Sequence, residues 1–188
     1  MTPPPWPPAA RLLVRDAVAA DLPALTAIHN AAIRTTTAIW DEEGVTEADR
    51  LAWWRARTAV GHPVLVAEVD GAVCGFATYG PWRPKSGYRL TVEHSLYVDA
   101  AVHRRGIGRA LLGALVERAR AQGLHRMVAM IESENHPSIA LHQREGFRIV
   151  GHMPEVGQKF GRWLGLTILQ LDLDAGEPDA EDPAPAVR

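Results

Sequence analysis

Val102-His-Arg-Arg-Gly-Ile-Gly-Arg-Ala-Leu-Leu112 decides how this chain is read. The extended apolar segment Ser95-Leu-Tyr-Val98 precedes it, and an amphipathic helix pattern runs on from Arg109 to Gln122. A tight glycine turn between strand and helix bares backbone N–H groups at the positive end of the helix dipole. Gly106 and Gly108 remove the side chains that would hold an anion off, and Arg104, Arg105 and Arg109 add cationic donors. The stretch is suited to gripping a pyrophosphate, although two glycines also serve a strand-to-helix bend that binds nothing.

Outward from that turn, the apolar pattern alternates between periods of two and of about 3.6 residues. Arg11 to Arg15 reads as a first strand. Asp21 is placed to cap a helix with Pro23 in its first turn, running to about Thr35. Thr46 and Asp49 open a second helix that holds Trp53 and Trp54. Pro63–Val69 and Ala72–Tyr79 are strands joined by Asp70-Gly71, a hairpin signal. Leu90–Val98 is a fourth strand and Met127–Glu132 a fifth, followed by a short helix over Ser138–Glu145. A sixth strand begins at Gly146-Phe147, and Leu164–Leu173 is the last. Hairpins early and strand–helix–strand crossings late give an α/β fold with a sheet of mixed direction.

Composition narrows the function classes. The chain has 188 residues, 47% hydrophobic and 22% charged, which fits one globular domain. A net charge of −2 gives no reason to expect nucleic acid or an anionic membrane as partner. No run approaches the ~20 apolar residues of a membrane span, and no basic segment followed by an apolar run marks a secretory signal. The single Cys74 sits in an apolar strand pattern as a buried small residue and fits a reducing, cytoplasmic setting. Residues 1–10 are proline-rich and expected to be extended and disordered, and the acidic, proline-rich stretch 175–188 is expected to be a disordered tail. The folded unit is then 11–174.

The run Arg104-Arg-Gly-Ile-Gly-Arg109 resembles the coenzyme A pyrophosphate loop of the GCN5-related N-acetyltransferase (GNAT) superfamily, with His103 where an Arg or Gln is usual. Gly80-Pro-Trp-Arg-Pro84, Thr91-Val-Glu-His-Ser95, Ile131-Glu-Ser-Glu-Asn135, Leu141-His142 and Val156-Gly-Gln-Lys-Phe-Gly-Arg-Trp163 are similar to the phosphinothricin and methionine sulfoximine acetyltransferase branch. The resemblance covers about Arg11 to Leu173. It implies a single α/β domain with a mixed, mostly antiparallel central sheet flanked by helices. It also implies acetyl-CoA as co-substrate without a metal, a small amino acid or analogue as acceptor, and a homodimer.

Amide formation from an acyl thioester requires removal of a proton from the attacking amine. Glu93 is the candidate base. By spacing alone it is more often an exposed strand carboxylate, and its place in a strand similar to the family's catalytic one reverses that preference in favour of the base. His94 is the rival, with a reference pKa nearer neutrality, but period-2 alternation puts it on the face opposite Glu93 and Ser95. The backbone of Leu96, Tyr97 and Val98 is expected to meet the pantetheine arm and polarise the acetyl carbonyl. The resemblance gives Asn135 a hydrogen bond to that arm, with Ser138 on the same surface, while Asn is equally a helix cap. His142 stands where many relatives carry a tyrosine proposed as general acid; a single helical histidine is more often a packing or surface residue. Arg83, Pro84 and Lys85 lie in the loop before the fourth strand, with Arg83 able to pair with a substrate carboxylate. The family's relatives usually have an aromatic residue at position 85. Glu93, His94 and Ser95 complete the expected acceptor pocket. Gly157–Trp163 reads as a hairpin loop with Lys159 and Arg162 as its solvated cations, and the resemblance implies that it lies near substrate and partner. No cysteine or serine in these motifs sits beside a predicted base, which favours direct attack. The alternatives are an acetyltransferase for protein N-termini or polyamines, and a CoA-binding module without catalysis.

Overall fold

The computed structural model describes residues 11–103 and 105–174. The arm expected over 1–10, the tail expected over 175–188 and Arg104 lie outside the described residues. In chain order the elements are β1 (Leu12–Asp16), α1 (Leu22–Thr35), α2 (Glu47–Ala59), β2 (Val64–Val69), β3 (Ala72–Pro81) and β4 (Thr91–Val98). They continue with α3 (Ile107–Ala121), β5 (Arg126–Glu132), α4 (His136–Arg144), β6 (Arg148–Lys159) and β7 (Arg162–Asp172). The strands form one sheet in the order β1-β2-β3-β4-β5-β7-β6. Every neighbouring pair is antiparallel except β4 and β5.

Alternation along the strands sorts side chains onto two faces. Val64, Val66, Phe76 and Tyr97 pack against α1 on one side. Leu65, Ala67, Val92, Leu96 and Met127 pack against α3 on the other, where Leu111, Leu112 and Leu115 are fully buried. Cys74 belongs to this second core, and burial pushes its thiol up. Among the described residues, no helix is long and apolar enough to cross a membrane.

Local chemistry explains most boundaries. Asp70 and Gly71 both take positive φ, +49° and +85°, which makes the tight β2–β3 turn. Thr46 accepts from the Asp49 N–H at 3.1 Å while the Asp49 carboxylate accepts from Thr46 N, a reciprocal cap for α2. Asp21 departs from expectation: its carboxylate makes no cap bond to α1. It turns back to accept from Val18 N at 2.8 Å and from both terminal nitrogens of Arg15. The competing guanidinium wins because it offers a two-pronged, charge-assisted contact.

The late hairpin is the larger correction. Gly157–Trp163 is not a loop: β6 extends to Lys159 and β7 starts at Arg162. Phe160 and Gly161, at φ +51° and +71°, form the whole turn. Nor is Lys159 a solvated cation. It is 2% exposed, and its ammonium donates to the carbonyls of Ile33 (2.5 Å), Thr36 (3.0 Å) and Ile39. The hairpin end thereby closes the C-terminus of α1, where carbonyls lack helical partners.

Candidate active site

β4 and β5 are registered through three pairs only, Thr91 with Arg126, Val92 with Met127 and Glu93 with Val128. Beyond Glu93 the strands part: β4 continues along β3 as far as Val98, and β5 continues along β7. The edge of β4 from 94 to 98 that faces away from β3 therefore has no strand beside it among the described residues. α3 starts at the mouth of this split. Gly106 holds φ +80°, a left-handed conformation that a β-carbon would strain, and no side chain caps the first N–H groups of the helix. Backbone donors at a positive dipole end beside an open strand edge suit an extended ligand with an anionic end.

Details of this region differ from the simple loop expected. A β-carbon on Gly108 would sit 3.3 Å from Leu141 Cδ2 and 3.7 Å from Leu96 Cδ2, so this glycine also lets α3 close on α4 and β4. The Arg109 guanidinium pairs with Glu145 at 2.8 Å across α3 and α4. The His103 ring lies 3.0 Å from the Val98 carbonyl and ties the loop to the end of β4, so that carbonyl already has a partner. Asn135 caps α4, its side chain accepting from Ser138 N at 3.3 Å.

His94 and His142 meet on the α3–α4 side of the sheet, 7% and 3% exposed. Their Nε2 atoms are 3.1 Å apart and their rings stack against each other beside Phe147. His142 Nδ1 lies 2.7 Å from the Ser138 carbonyl and must donate to it. Its Nε2 is then the acceptor and His94 Nε2 the donor, which leaves His94 Nδ1 without a partner. Burial, and then the His142 ring, push His94 down to about 3, and burial lowers His142. Both rings are neutral. His94 is thus removed from the acceptor pocket where it was expected, because strand alternation turns it into the core behind Glu93.

Glu93, Ser95 and Tyr97 share the opposite face. Glu93 is half-buried, and burial raises its carboxyl against the opposing pull of Arg83 and Arg57. Arg83 stacks over Trp82 at 4.3 Å in the exposed loop that also holds Pro84 and Lys85. Tyr97 lies edge-on to His29 at 5.4 Å. A carboxylate lifted toward neutrality beside an open strand edge is a competent proton acceptor. Sequence reasoning passed over Arg50 and Arg57, which reach this face from α2. The signal was present: 50, 53, 54 and 57 have the spacing of one helical stripe, and Trp53 faces inward.

Residues 25–147 match the model of the acetyltransferase (GNAT) family. The chain belongs to that family. It is 59% identical over 162 residues to the L-methionine sulfoximine/L-methionine sulfone acetyltransferase of Pseudomonas paraeruginosa, covering 86% of this chain and 94% of that one. The structure of yncA from Salmonella typhimurium with its cofactor acetyl-CoA superposes with a TM-score of 0.86 at 49% identity, covering 91% and 99% of the two chains. A phosphinothricin acetyltransferase of Sinorhizobium meliloti in complex with acetyl-CoA gives 0.85 at 38% identity, covering 94% and 95%.

Proposed function

We propose that this chain transfers the acetyl group of acetyl-CoA to the α-amino group of a small amino acid or analogue, with L-methionine sulfoximine, L-methionine sulfone and L-phosphinothricin as substrates. The observation that carries this reading is Glu93. Its carboxyl is raised by burial at the last residue before β4 leaves β5, against the attraction of Arg83 and Arg57. Acetyl-CoA supplies an activated acyl carbon and a thiol leaving group. The residues fit it: uncapped N–H groups of Ile107, Gly108 and Arg109 face the pyrophosphate with Arg104 and Arg105 in support, and the free edge over Leu96, Tyr97 and Val98 takes the pantetheine amides. Asn135 and Ser138, at the start of α4 just beyond β5, would meet the same arm.

Glu93 takes the amine's proton, directly or through a water, while Arg83 reads the substrate carboxylate with Pro84 and Lys85 bounding the loop and Ser95 beside the base. Cys74 is no acyl carrier, since its thiol is buried in the core and raised. Both ring nitrogens of His142 are engaged within the fold, so it enters this mechanism as the partner that holds α4 to β4, not as the acid.

The folded unit runs from 11 to 174 and assembles as a homodimer in the cytoplasm. Support for the dimer is the edge strand β6 with its neighbouring turn, where Val150, Phe160 and Trp163 are 56%, 56% and 61% exposed. An apolar strip on a free sheet edge favours self-pairing.

Glu93→Gln tests the chemistry: kcat falls roughly 10²-fold, the scale of a positioned base, and the KM for acetyl-CoA holds. Wild-type turnover in this variant below the amine's pKa refutes the base. Amino-acid carboxamides accepted as well as free acids refute the carboxylate reading.

A further inference from the structure

The inner stripe of α2 carries two cations. A stripe packed on a sheet is ordinarily aliphatic, yet Arg50 is 5% exposed there. Its guanidinium carbon stands 4.7 Å from the centre of the Trp53 ring and 5.7 Å from that of Phe76. Arg57 approaches the same Trp53 ring at 5.6 Å, so one indole serves two guanidiniums. Neither arginine makes a hydrogen bond or ion pair with an acid or carbonyl among the described residues, although Glu93 attracts Arg57. Arg50 Nε and Arg57 Nη1 are buried without a hydrogen bond. Asp41 lies near His29 and Tyr97 on this side, but makes no hydrogen bond or ion pair with either arginine. Ring contacts offset only part of the cost of burying such charge.

Gly80 explains how Arg57 comes to lie there. A β-carbon on Gly80 would fall 2.1 Å from Arg57 Nη1, and Gly80 is registered opposite Glu93. The bare backbone of β3 thus seats a guanidinium beside the proposed base. With Arg83 also reaching Glu93 from the loop, three guanidiniums gather on this face, and two of them, Arg50 and Arg57, keep a buried nitrogen without a hydrogen bond.

We propose that Arg57, backed by Trp53 and Arg50, reads a tetrahedral oxygen-bearing group at the side-chain end of the substrate. Sulfone, sulfoximine and phosphinate heads share that chemistry, and a plain thioether lacks it. Arg57 supplies the donors; Arg50 is a positioning residue that holds the Trp53 ring shared with Arg57 and adds positive potential. The assignment rests on the amino-acid acetyltransferase reading above and adds the residue that chooses among amino acids.

The test is kcat/KM for L-methionine, its sulfone, its sulfoximine and L-phosphinothricin at saturating acetyl-CoA. Wild type is compared with Arg57→Met and with Gly80→Ala, which keeps every charge and displaces the guanidinium. The wild type is expected to favour the three oxygenated heads. Both variants are expected to lose at least about tenfold on those three, mainly through KM, with methionine changed less than about threefold. Equal losses on all four substrates, or none, overturn the assignment while leaving the acetyltransferase reading intact. A wild type that takes methionine as readily as the sulfone overturns it without any variant. Acetylation of none of the four, while another amine releases thiol, overturns both readings together.

Discussion

Lowering the pH from 7 to 5 should cost the native state about 2 kcal/mol through His94 alone. An unfolded histidine titrates near 6.5, whereas His94 in the fold is held at about 3 by burial and by the neighbouring His142 ring. Between these values the unfolded chain binds a proton that the native state refuses. Stability is therefore complete above about pH 6.5 and is lost as pH falls toward the folded value. At pH 5 the gap to the unfolded pKa is about 1.5 units, and each unit is worth about 1.4 kcal/mol. His29, lowered to about 4 by burial and by Arg50, and His142, lowered by burial, add losses of the same sign in the same window. Urea unfolding at pH 7 and pH 5 measures the sum. The comparison is His94→Leu/His142→Met, which removes both rings and takes from the Ser138 carbonyl its side-chain donor, a penalty of about 1 kcal/mol that does not vary with pH. Wild type should lose at least about 2 kcal/mol more than this variant over the interval. Parallel losses would mean that the pair is not held neutral, and the tautomer assignment would fall with it.

Gly108→Val should fold but narrow the split between α3, β4 and α4, since its β-carbon already stands 3.3 Å from Leu141. Calorimetry should then find acetyl-CoA bound at least about tenfold more weakly, roughly 1.4 kcal/mol, and unchanged binding would remove the loop from the cofactor site. Lys159→Met strips a buried ammonium from three carbonyls. A loss of about 3 kcal/mol is expected from buried carbonyls left without a donor, which lowers Tm on the order of 10 °C in a chain of this size; a shift under about 3 °C would contradict the anchoring role. Val150→Asp should convert a dimer to a monomer by light scattering, and a wild type that is already monomeric refutes the proposed interface.

Local rules carried the sequence reading a long way. The Asp70-Gly71 turn, the Thr46 cap and the opposite orientation of Glu93 and His94 depend on neighbouring residues alone, and each falls where period and turn chemistry place it. What escaped depends on distant partners. Asp21 left its cap because Arg15 competes for it, and Lys159 looked solvated because the carbonyls it reaches lie more than a hundred residues earlier. Glycines at 157 and 161 suggested a loop, although Gly157 is small because the Trp40 ring lies where its β-carbon would be, 2.2 Å away. The parting of β4 from β5 after three pairs could not be read from either strand, since each is a good strand by itself.

That parting makes occupancy a structural variable. A sheet held along six seams, one of which ends early, leaves an edge of β4 with no strand beside it among the described residues, open to a ligand from outside. A ligand that enters there and ignores the unfolded chain raises stability by RT ln(1 + [L]/Kd), about 2.7 kcal/mol at a hundred times Kd. Amide exchange at 94–98 would then register the thioester supply, slowing as the seam fills, while β1, β2 and β3 respond only through global unfolding. The short seam couples the durability of the molecule to the abundance of the metabolite it consumes.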